Sequence, residues 1–166
     1  ISKEQLQLLI KLRLPILVCL DGDEAGKKAA LKTASLFLEI IEAGILPKFI
    51  IMPNGEDPDS FLSKFSKEEF LNLIEGSVYL SDFLWQEVTR NKLAATPEVK
   101  SLLQKELMEY CKMIHDSSLR EEFSKYFIAK LNESFVNKAY TNNKQIKAGE
   151  RYNKGLYTTN NKFITH

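Results

Sequence analysis

Two short apolar runs, each ending in an acidic loop, constrain the fold of this chain more than any other feature. Residues 16–20 (ILVCL) run directly into the loop 21–26 (DGDEAG), and residues 48–52 (KFIIM) lead through a turn to the loop 55–59 (GEDPD). Uninterrupted apolar runs of this length with β-branched members are typical of strands buried on both faces of a parallel sheet. The sequence therefore predicts two buried strands that each deliver carboxylates at the carboxyl end.

A helix is predicted between the two strands. Residues 24–43 place small and apolar side chains at intervals of three and four, Asp23 precedes them as an N-terminal cap, and Gly44 follows as a stop signal. A strand, a helix and a strand in succession form a right-handed crossover, which makes the strands parallel neighbours. Ligands bind at the carboxyl edge of such sheets, so both acidic loops belong to one candidate site.

The rest of the chain predicts helices. Helical spacing indicates a helix over residues 3–13, a helix opened by the capping box at Ser66, a helix over residues 80–91, and helices capped by Thr96 and Asp116. The side chains expected to face the core are Leu6, Leu9, Ile10, Phe70, Leu71, Ile74, Phe83, Leu84, Val88, Leu102, Leu103, Leu107, Tyr110, Ile114, Leu119, Phe123, Phe127, Ile128 and Leu131.

These patterns divide the chain into three parts. Residues 1–65 are predicted to be the later part of an α/β domain, and residues 66–135 a helical subdomain. Residues 136–166, rich in Asn, Lys and Thr without a period, are predicted to be a basic, disordered linker or tail. Two strands alone do not make a stable sheet, and the chain opens with Ile1 instead of Met, so we expect the front of the α/β domain to be missing.

The overall net charge of +1 conceals an asymmetry. Residues 136–166 carry six basic residues against one acidic residue, which leaves the remaining residues with a net charge of −4. A negatively charged body is not suited to grip nucleic acid by itself. No run approaches the ~20 apolar residues needed to cross a bilayer, and no secretory signal pattern opens the chain. We expect a cytoplasmic protein with Cys19 and Cys111 as reduced thiols, and no zinc-ligand spacing is present.

The two acidic loops indicate a metal site. If the strands are neighbours, the loops bring together the carboxylates of Asp21, Asp23, Asp57 and Asp59. Such a cluster repels itself unless cations lie between its members, and hard oxygen ligands suit Mg²⁺ or Mn²⁺. Cations held in this way serve phosphate chemistry, because they stabilise the attacking and leaving oxygens of an in-line displacement. These four aspartates are therefore the candidate metal-binding and catalytic residues.

A purely structural interpretation stays open for each carboxylate taken alone. Asp23 and Asp57 stand at the N-cap positions of predicted helices, and Asp59 is favourable in a first helical turn. The adjacent Glu24 and Glu56 are interpreted as solvated or supporting groups rather than direct ligands. Capping and metal binding are compatible with each other.

Structural roles are preferred for the other chemically notable residues. Trp85 with Phe83 would be able to stack a nucleobase, but core packing is the preferred interpretation. His115 beside Asp116 is interpreted as a helix-end histidine rather than one member of an acid–base pair. The lysines at residues 27–28 are interpreted as a solvated helix face.

The two loops resemble motifs of a known family. LDGDEAGKKAA (residues 20–30) resembles the second metal-binding motif of the DnaG-type TOPRIM domain, and MPNGEDPDSF (residues 52–61) resembles its third. Topoisomerase and gyrase TOPRIM domains share the paired aspartates but usually lack this continuation. TPEVK (residues 96–100) with the long helix that follows, and IHDSSLREEFSKYF (residues 114–127), are similar to the helical subdomain of the primase core. The resemblance covers about residues 1–135.

The resemblance implies a partial TOPRIM fold, which is a Rossmann-like parallel sheet, followed by an all-helical subdomain of a bacterial DNA primase. It implies synthesis of RNA primers on single-stranded DNA from ribonucleotides, with Asp21, Asp23, Asp57 and Asp59 holding divalent cations or supporting their ligands. The family's catalytic glutamate, zinc-binding module and helicase-binding domain have no counterpart here. Zinc and the replicative helicase are therefore expected only at missing parts, no membrane partner is expected, and the chain alone is expected to be inactive.

Two other functions remain open from the sequence. The first is another TOPRIM enzyme, such as a phage-type primase-helicase or a nuclease-like protein, which a downstream ATPase domain or strand cleavage would identify. The second is a non-catalytic remnant or interaction module, which would show no metal-dependent chemistry even with a front half supplied. A plain nucleotide-binding α/β domain is disfavoured, because no GxGxxG or GxxxxGK pattern follows a strand.

Overall fold

The computed structural model describes residues 1–90, 92 and 96–135. In these residues three strands form one sheet in the order β1-β2-β3. The strands are β1 (Leu17–Leu20), β2 (Lys48–Ile51) and β3 (Val78–Tyr79). The helices are α1 (Lys3–Lys11), α2 (Glu24–Ile40), α3 (Pro58–Lys64), α4 (Lys67–Glu75), α5 (Leu80–Thr89) and α6 (Pro97–Lys112), and α7 runs from residue 117 to residue 135, the last of the described residues.

The predicted strand–helix–strand crossover is confirmed. β1 pairs with β2 in parallel, with Leu17 opposite Lys48 and Leu20 opposite Ile51. The prediction of helices alone after residue 59 is wrong at residues 78–79, because β3 adds to β2 antiparallel there. Two residues that lead directly into a helix are too short for a period-two pattern to appear in the sequence.

One face of the sheet packs against α2 and α5 through aromatic rings. The ring of Phe49 on β2 stacks on Phe83 of α5 at a centroid distance of 4.6 Å and meets the edge of Phe37 of α2 at 6.2 Å. The same continuous core includes Leu107 of α6 and Phe127 of α7. The later helices therefore share one hydrophobic core with the sheet.

The opposite face of the sheet is covered by α3 and α4. Ile50 and Met52 are buried there against Phe61 of α3, and Phe70 and Ile74 of α4 pack around them. Both capping boxes that open these helices are formed, by Asp57 with Ser60 and by Ser66 with Glu69. This second cluster fixes α3, and with it the second acidic loop, against the carboxyl end of β2.

Some predicted core positions are wrong, because neighbouring elements cover only part of the apolar face of each helix. The side chains expected inside but found exposed are Leu9, Leu71, Leu102 and Ile128. β1 is also not fully buried on both faces, since Leu17 is exposed and Cys19 and Leu20 are only partly buried. α2 ends at Ile40, and Gly44 takes a positive φ of 91° in the turn that follows it.

The predicted tail at residues 136–166 lies outside the described residues. Among the helices within the described part of the chain, none combines the length and the apolar character that a membrane span requires.

Candidate metal centre

The two acidic loops lie side by side because the strands that precede them are parallel neighbours. The backbone N–H of Met52 donates to the carbonyl of Leu20 at 2.9 Å, which carries the β1–β2 pairing to the carboxyl edge of the sheet. Beyond that edge the N–H of Gly22 donates to the carbonyl of Glu56 at 2.9 Å. This hydrogen bond joins the first acidic loop directly to the second, as the crossover predicts.

Glycine is required at two positions where backbone segments meet. A Cβ added at Gly22 would lie 2.0 Å from the carbonyl oxygen of Pro53, and a Cβ added at Gly26 would lie 2.2 Å from the carbonyl oxygen of Asp21. A side chain at Gly22 would push the two segments apart, whereas one at Gly26 would push the start of α2 away from Asp21 within the first loop. The space at these glycines is taken by neighbouring backbone.

Two of the four candidate carboxylates cap helices. Asp23 accepts a hydrogen bond from the N–H of Gly26 at 2.6 Å at the start of α2, and Asp57 accepts one from the N–H of Ser60 at 2.8 Å at the start of α3. Both bonds use Oδ1. The structural interpretation of Asp23 and Asp57 as N-caps is therefore confirmed, and the caps hold both side chains in fixed orientations.

The four candidate carboxylates are exposed at the same edge of the sheet: Asp21, Asp23, Asp57 and Asp59. In the residues that the structure describes, no three His, Cys, Asp or Glu side chains lie close enough together to hold a metal ion. The expected convergence of four carboxylates within a few ångströms is thus not seen in this arrangement. Unscreened carboxylates repel one another, and two of them are held by their own helices. The assignment of all four as metal ligands stays a prediction.

Glu56 differs from the other acids of the two loops because its side chain is only 15% exposed. It accepts hydrogen bonds from Nζ of Lys64 at 2.8 Å and from Oγ of Ser60 at 2.6 Å. The Lys64 hydrogen bond, followed by the Ser60 hydrogen bond, lowers the pKa of the Glu56 carboxyl below its ordinary value. Its interpretation as a supporting group agrees with these contacts. The sequence gives no sign of Lys64 or Ser60 as its partners, because no sequence pattern shows a side chain eight residues along a helix reaching back to the loop before it.

Glu24 is a solvated side chain beside the first loop. Its carboxylate pairs with Lys27 at 2.6 Å, and its side chain is 81% exposed. The hydrogen bond from Lys27 is the main cause that lowers the pKa of Glu24, and Arg90 and Lys28 add smaller attractions. Lys27 is therefore engaged with its own helix.

The remaining candidates take the structural roles expected of them. Asp116 caps α7 by accepting a hydrogen bond from the N–H of Leu119 at 2.9 Å, and His115 beside it is exposed. Phe83 is buried in the main core and Trp85 is partly buried against it, so these two aromatic side chains serve packing.

The two cysteines are free thiols. Sγ of Cys19 lies 3.5 Å from Sδ of Met52, and Cys111 is buried in the main core. Burial is the main cause that raises the pKa of both thiols, and it keeps them protonated at neutral pH.

The crossover with paired acidic loops at one sheet edge is the arrangement of a TOPRIM-type domain. In agreement with this geometry, a family described as Toprim-like matches residues 1–62. By sequence and by fold, the chain is related to the bacterial DnaG-type DNA primases and corresponds to a segment of their catalytic core.

Relatives and solved structures support this relationship. The chain is 37% identical over 123 residues to the DNA primase of Rickettsia felis, an alignment that covers 74% of this chain and 21% of that protein. A DNA primase domain from Pseudomonas aeruginosa matches with a TM-score of 0.69 at 25% identity, over 84% of this chain and 44% of that one. A DnaG catalytic domain bound to ssDNA matches with a TM-score of 0.66 at 27% identity, over 80% and 41% of the two chains. The chain spans about a fifth of the length of the curated relatives it matches.

Proposed function

We propose that this chain supplies the metal-binding part of a DNA primase, which joins ribonucleotides into short RNA primers on single-stranded DNA. The observation that carries the proposal is the hydrogen bond from Gly22 to Glu56, which joins two aspartate-bearing loops at the carboxyl edge of β1 and β2. The relationship to bacterial primases over the same segment supports it.

The donor chemistry of the two loops fits a divalent cation. Asp21, Asp23, Asp57 and Asp59 offer exposed carboxylate oxygens, the hard ligands that Mg²⁺ and Mn²⁺ prefer. These four residues would hold the metal. When bound, the cation would supply charge stabilisation at the oxygens that attack and leave during nucleotidyl transfer.

The caps give two of these aspartates a prepared orientation. Because Oδ1 of Asp23 and Oδ1 of Asp57 are held by backbone N–H groups, each side chain loses little rotational freedom when its other oxygen binds a cation. The capping function and the ligand function therefore reinforce each other.

The site is completed by groups outside this chain. A set of aliphatic side chains on α1, the following turn and β1 is exposed, and we name it the front surface: Leu8, Leu9, Leu12, Leu14 and Leu17. Several exposed aliphatic side chains on the segment that leads into the edge strand β1 are typical of a contact surface. We propose that a further part of the primase core packs there and contributes the catalytic glutamate that the resemblance implies.

The proposed partners follow from the relatives and from the charge of the chain. A related DnaG domain has been solved with ssDNA bound, and we propose a single-stranded template and ribonucleotides as the substrates of the complete enzyme. Residues 1–135 carry a net charge of −4, so the cationic surface for the template is proposed to lie on other parts of the enzyme. Contact with the replicative helicase is proposed to use a further domain.

A chimaeric primase tests this function. Residues 1–135 of this chain would replace the matching segment of the Rickettsia felis primase, and primer synthesis on single-stranded DNA would be measured with Mg²⁺. We expect primers from the chimaera and none from the same chimaera with Asp21→Asn and Asp59→Asn. Robust primer synthesis by the isolated chain would contradict the proposal that groups outside this chain complete the site. A chimaera that folds, binds Mg²⁺ and nicks DNA without making primers would instead identify a nuclease-like TOPRIM enzyme.

A further inference from the structure

The second acidic loop contains an acid, Glu56, whose carboxylate is bound by two side chains of α3. The side chain of Glu56 is 15% exposed, against 81% for Glu24 in the first loop. Its two carboxylate oxygens accept hydrogen bonds from Ser60 in the first turn of α3 and from Lys64 at the end of its second turn. A carboxylate engaged in this way has little capacity left for a cation.

The backbone of the same residue makes the contact between the two loops. The carbonyl of Glu56 accepts the hydrogen bond from Gly22, and its N–H donates to the carbonyl of Pro53 at 3.0 Å. The side-chain bonds to α3 therefore fix the peptide group that sets the position of the first loop. α3 is itself anchored, because Phe61 is 5% exposed against Ile50 and Met52.

We propose that Glu56 is a positioning residue for the metal centre: Lys64 and Ser60 hold its carboxylate, and its carbonyl thereby sets the spacing between the two aspartate pairs. The effect of Glu56 on metal binding rests on the proposed function. The positional link from Lys64 through Glu56 to Gly22 depends only on the hydrogen bonds.

The test compares Glu56→Gln and Lys64→Met with Glu24→Gln in the 166-residue chain. Glu24→Gln removes the same charge from beside the site without touching the connection between the loops. The first readout is hydrogen exchange of the Gly22 amide. Because the ion pair is half exposed on the lysine side, we expect exchange to rise roughly two- to fivefold in the first two variants and to stay unchanged in the third. Unchanged exchange in all three would overturn the inference, whether or not the chain binds a metal.

The second readout is the affinity for Mn²⁺ alone, measured by the change in water proton relaxation. If Glu56 positions the loops, Lys64→Met weakens Mn²⁺ binding roughly two- to fivefold and Lys64→Arg restores it. If Glu56 were a direct ligand, removal of the lysine would free its carboxylate and strengthen Mn²⁺ binding, which would overturn the inference. Absence of Mn²⁺ binding by the wild-type chain would contradict the proposed function, and the exchange of Gly22 would still decide the role of Glu56.

Discussion

Gly22 is the residue at which the two acidic loops touch, and its lack of a side chain permits the contact. We predict that Gly22→Ala lowers the free energy of unfolding by about 1–3 kcal/mol, because the new methyl group meets backbone oxygen that has no flexible side chain to yield. Gly76→Ala is the matched control, since the nearest atom to its added Cβ is 3.4 Å away. Urea unfolding of both variants is the measurement, and equal midpoints would contradict the close contact.

Asp23 combines a cap with a candidate ligand, and two substitutions separate these functions. Asparagine caps a helix about as well as aspartate, whereas alanine costs about 1 kcal/mol. We predict that Asp23→Asn leaves the free energy of unfolding nearly unchanged but weakens Mn²⁺ binding, and that Asp23→Ala lowers both. Isothermal titration with Mn²⁺ beside urea unfolding would show this. Wild-type affinity in both variants would leave Asp23 with the cap alone.

At this scale the sequence predicted the caps but not the network around Glu56. A cap depends on residues three apart in the chain, so Asp23, Asp57 and Asp116 were recognisable from spacing alone. The distinction between Glu56 and its neighbouring acids depends on burial and on the reach of Lys64 back along α3. No sequence pattern indicates the burial of Glu56 or its contact with Lys64.

Among the elements, α5 and α7 are joined by a polar cluster that lies apart from the metal centre. Asp82 on α5 accepts hydrogen bonds from Tyr126 and Lys130 of α7, and Nζ of Lys130 lies 4.9 Å from the centre of the Tyr126 ring. Burial acts to raise the pKa of Asp82, but the hydrogen bonds from Lys130 and Tyr126 outweigh it and lower the pKa. Burial acts to lower the pKa of Lys130, but the hydrogen bonds with Asp82 and Tyr126 together outweigh it and raise the pKa.

The stability that this cluster contributes depends on pH in a defined direction. Because the pKa of Asp82 is lower in the folded chain than the ordinary 3.8, its contribution is present above about pH 4 and is lost as pH falls through the folded value. For Lys130 the pKa is raised above 10.5, so its contribution is complete below that pH and is lost above it.

We predict that Asp82→Asn lowers the free energy of unfolding by about 1 kcal/mol at neutral pH, since the partly exposed pair is screened by solvent. The difference from wild type should be constant from about pH 5 to about pH 9 and shrink below about pH 4. Urea unfolding across this range measures it, with the exposed Glu133→Gln on α7 as control. A difference that persists undiminished at low pH would show that the charge of Asp82 is not the cause.

The elements were predictable from sequence where they are long or capped, and not where they are short. The crossover of β1, α2 and β2 and the starts of α4 and α6 followed from apolar spacing and cap residues, whereas for α3 only Asp57 was recognised as a possible cap. β3 was not predicted because its two residues are too few to show an alternating apolar pattern. The apolar faces of the helices also predicted too many core residues, since residue spacing reveals an apolar face but not how much of that face a neighbouring element covers.

At the scale of the whole molecule, two surfaces of the described residues differ in character: the acidic edge of the sheet and the apolar front surface. We predict that Leu8→Lys with Leu12→Lys reduces self-association of the isolated chain without lowering its free energy of unfolding, because these side chains are 63% and 62% exposed. Sedimentation velocity and urea unfolding measure the two effects. Leu38→Lys is the contrasting variant, since Leu38 is fully buried and its replacement should unfold the chain.

The same double variant also probes the proposed completion of the enzyme. If another part of the primase core packs on the front surface, Leu8→Lys with Leu12→Lys should abolish primer synthesis by the chimaeric primase. The isolated chain should tolerate both substitutions. Unimpaired synthesis would show that no part of the core packs on this surface.

A Mn²⁺ titration followed by NMR tests most directly whether the two loops together hold a divalent cation. Paramagnetic broadening is measured along the chain for the wild type, for Asp21→Asn with Asp59→Asn, and for the exposed Glu68→Gln as control. We predict broadening centred on residues 21–26 and 55–59 in the wild type and the control, and its loss in the double variant. Diffuse broadening, or broadening that survives in the double variant, would contradict shared binding by the two loops and leave the aspartates as helix caps and surface charges.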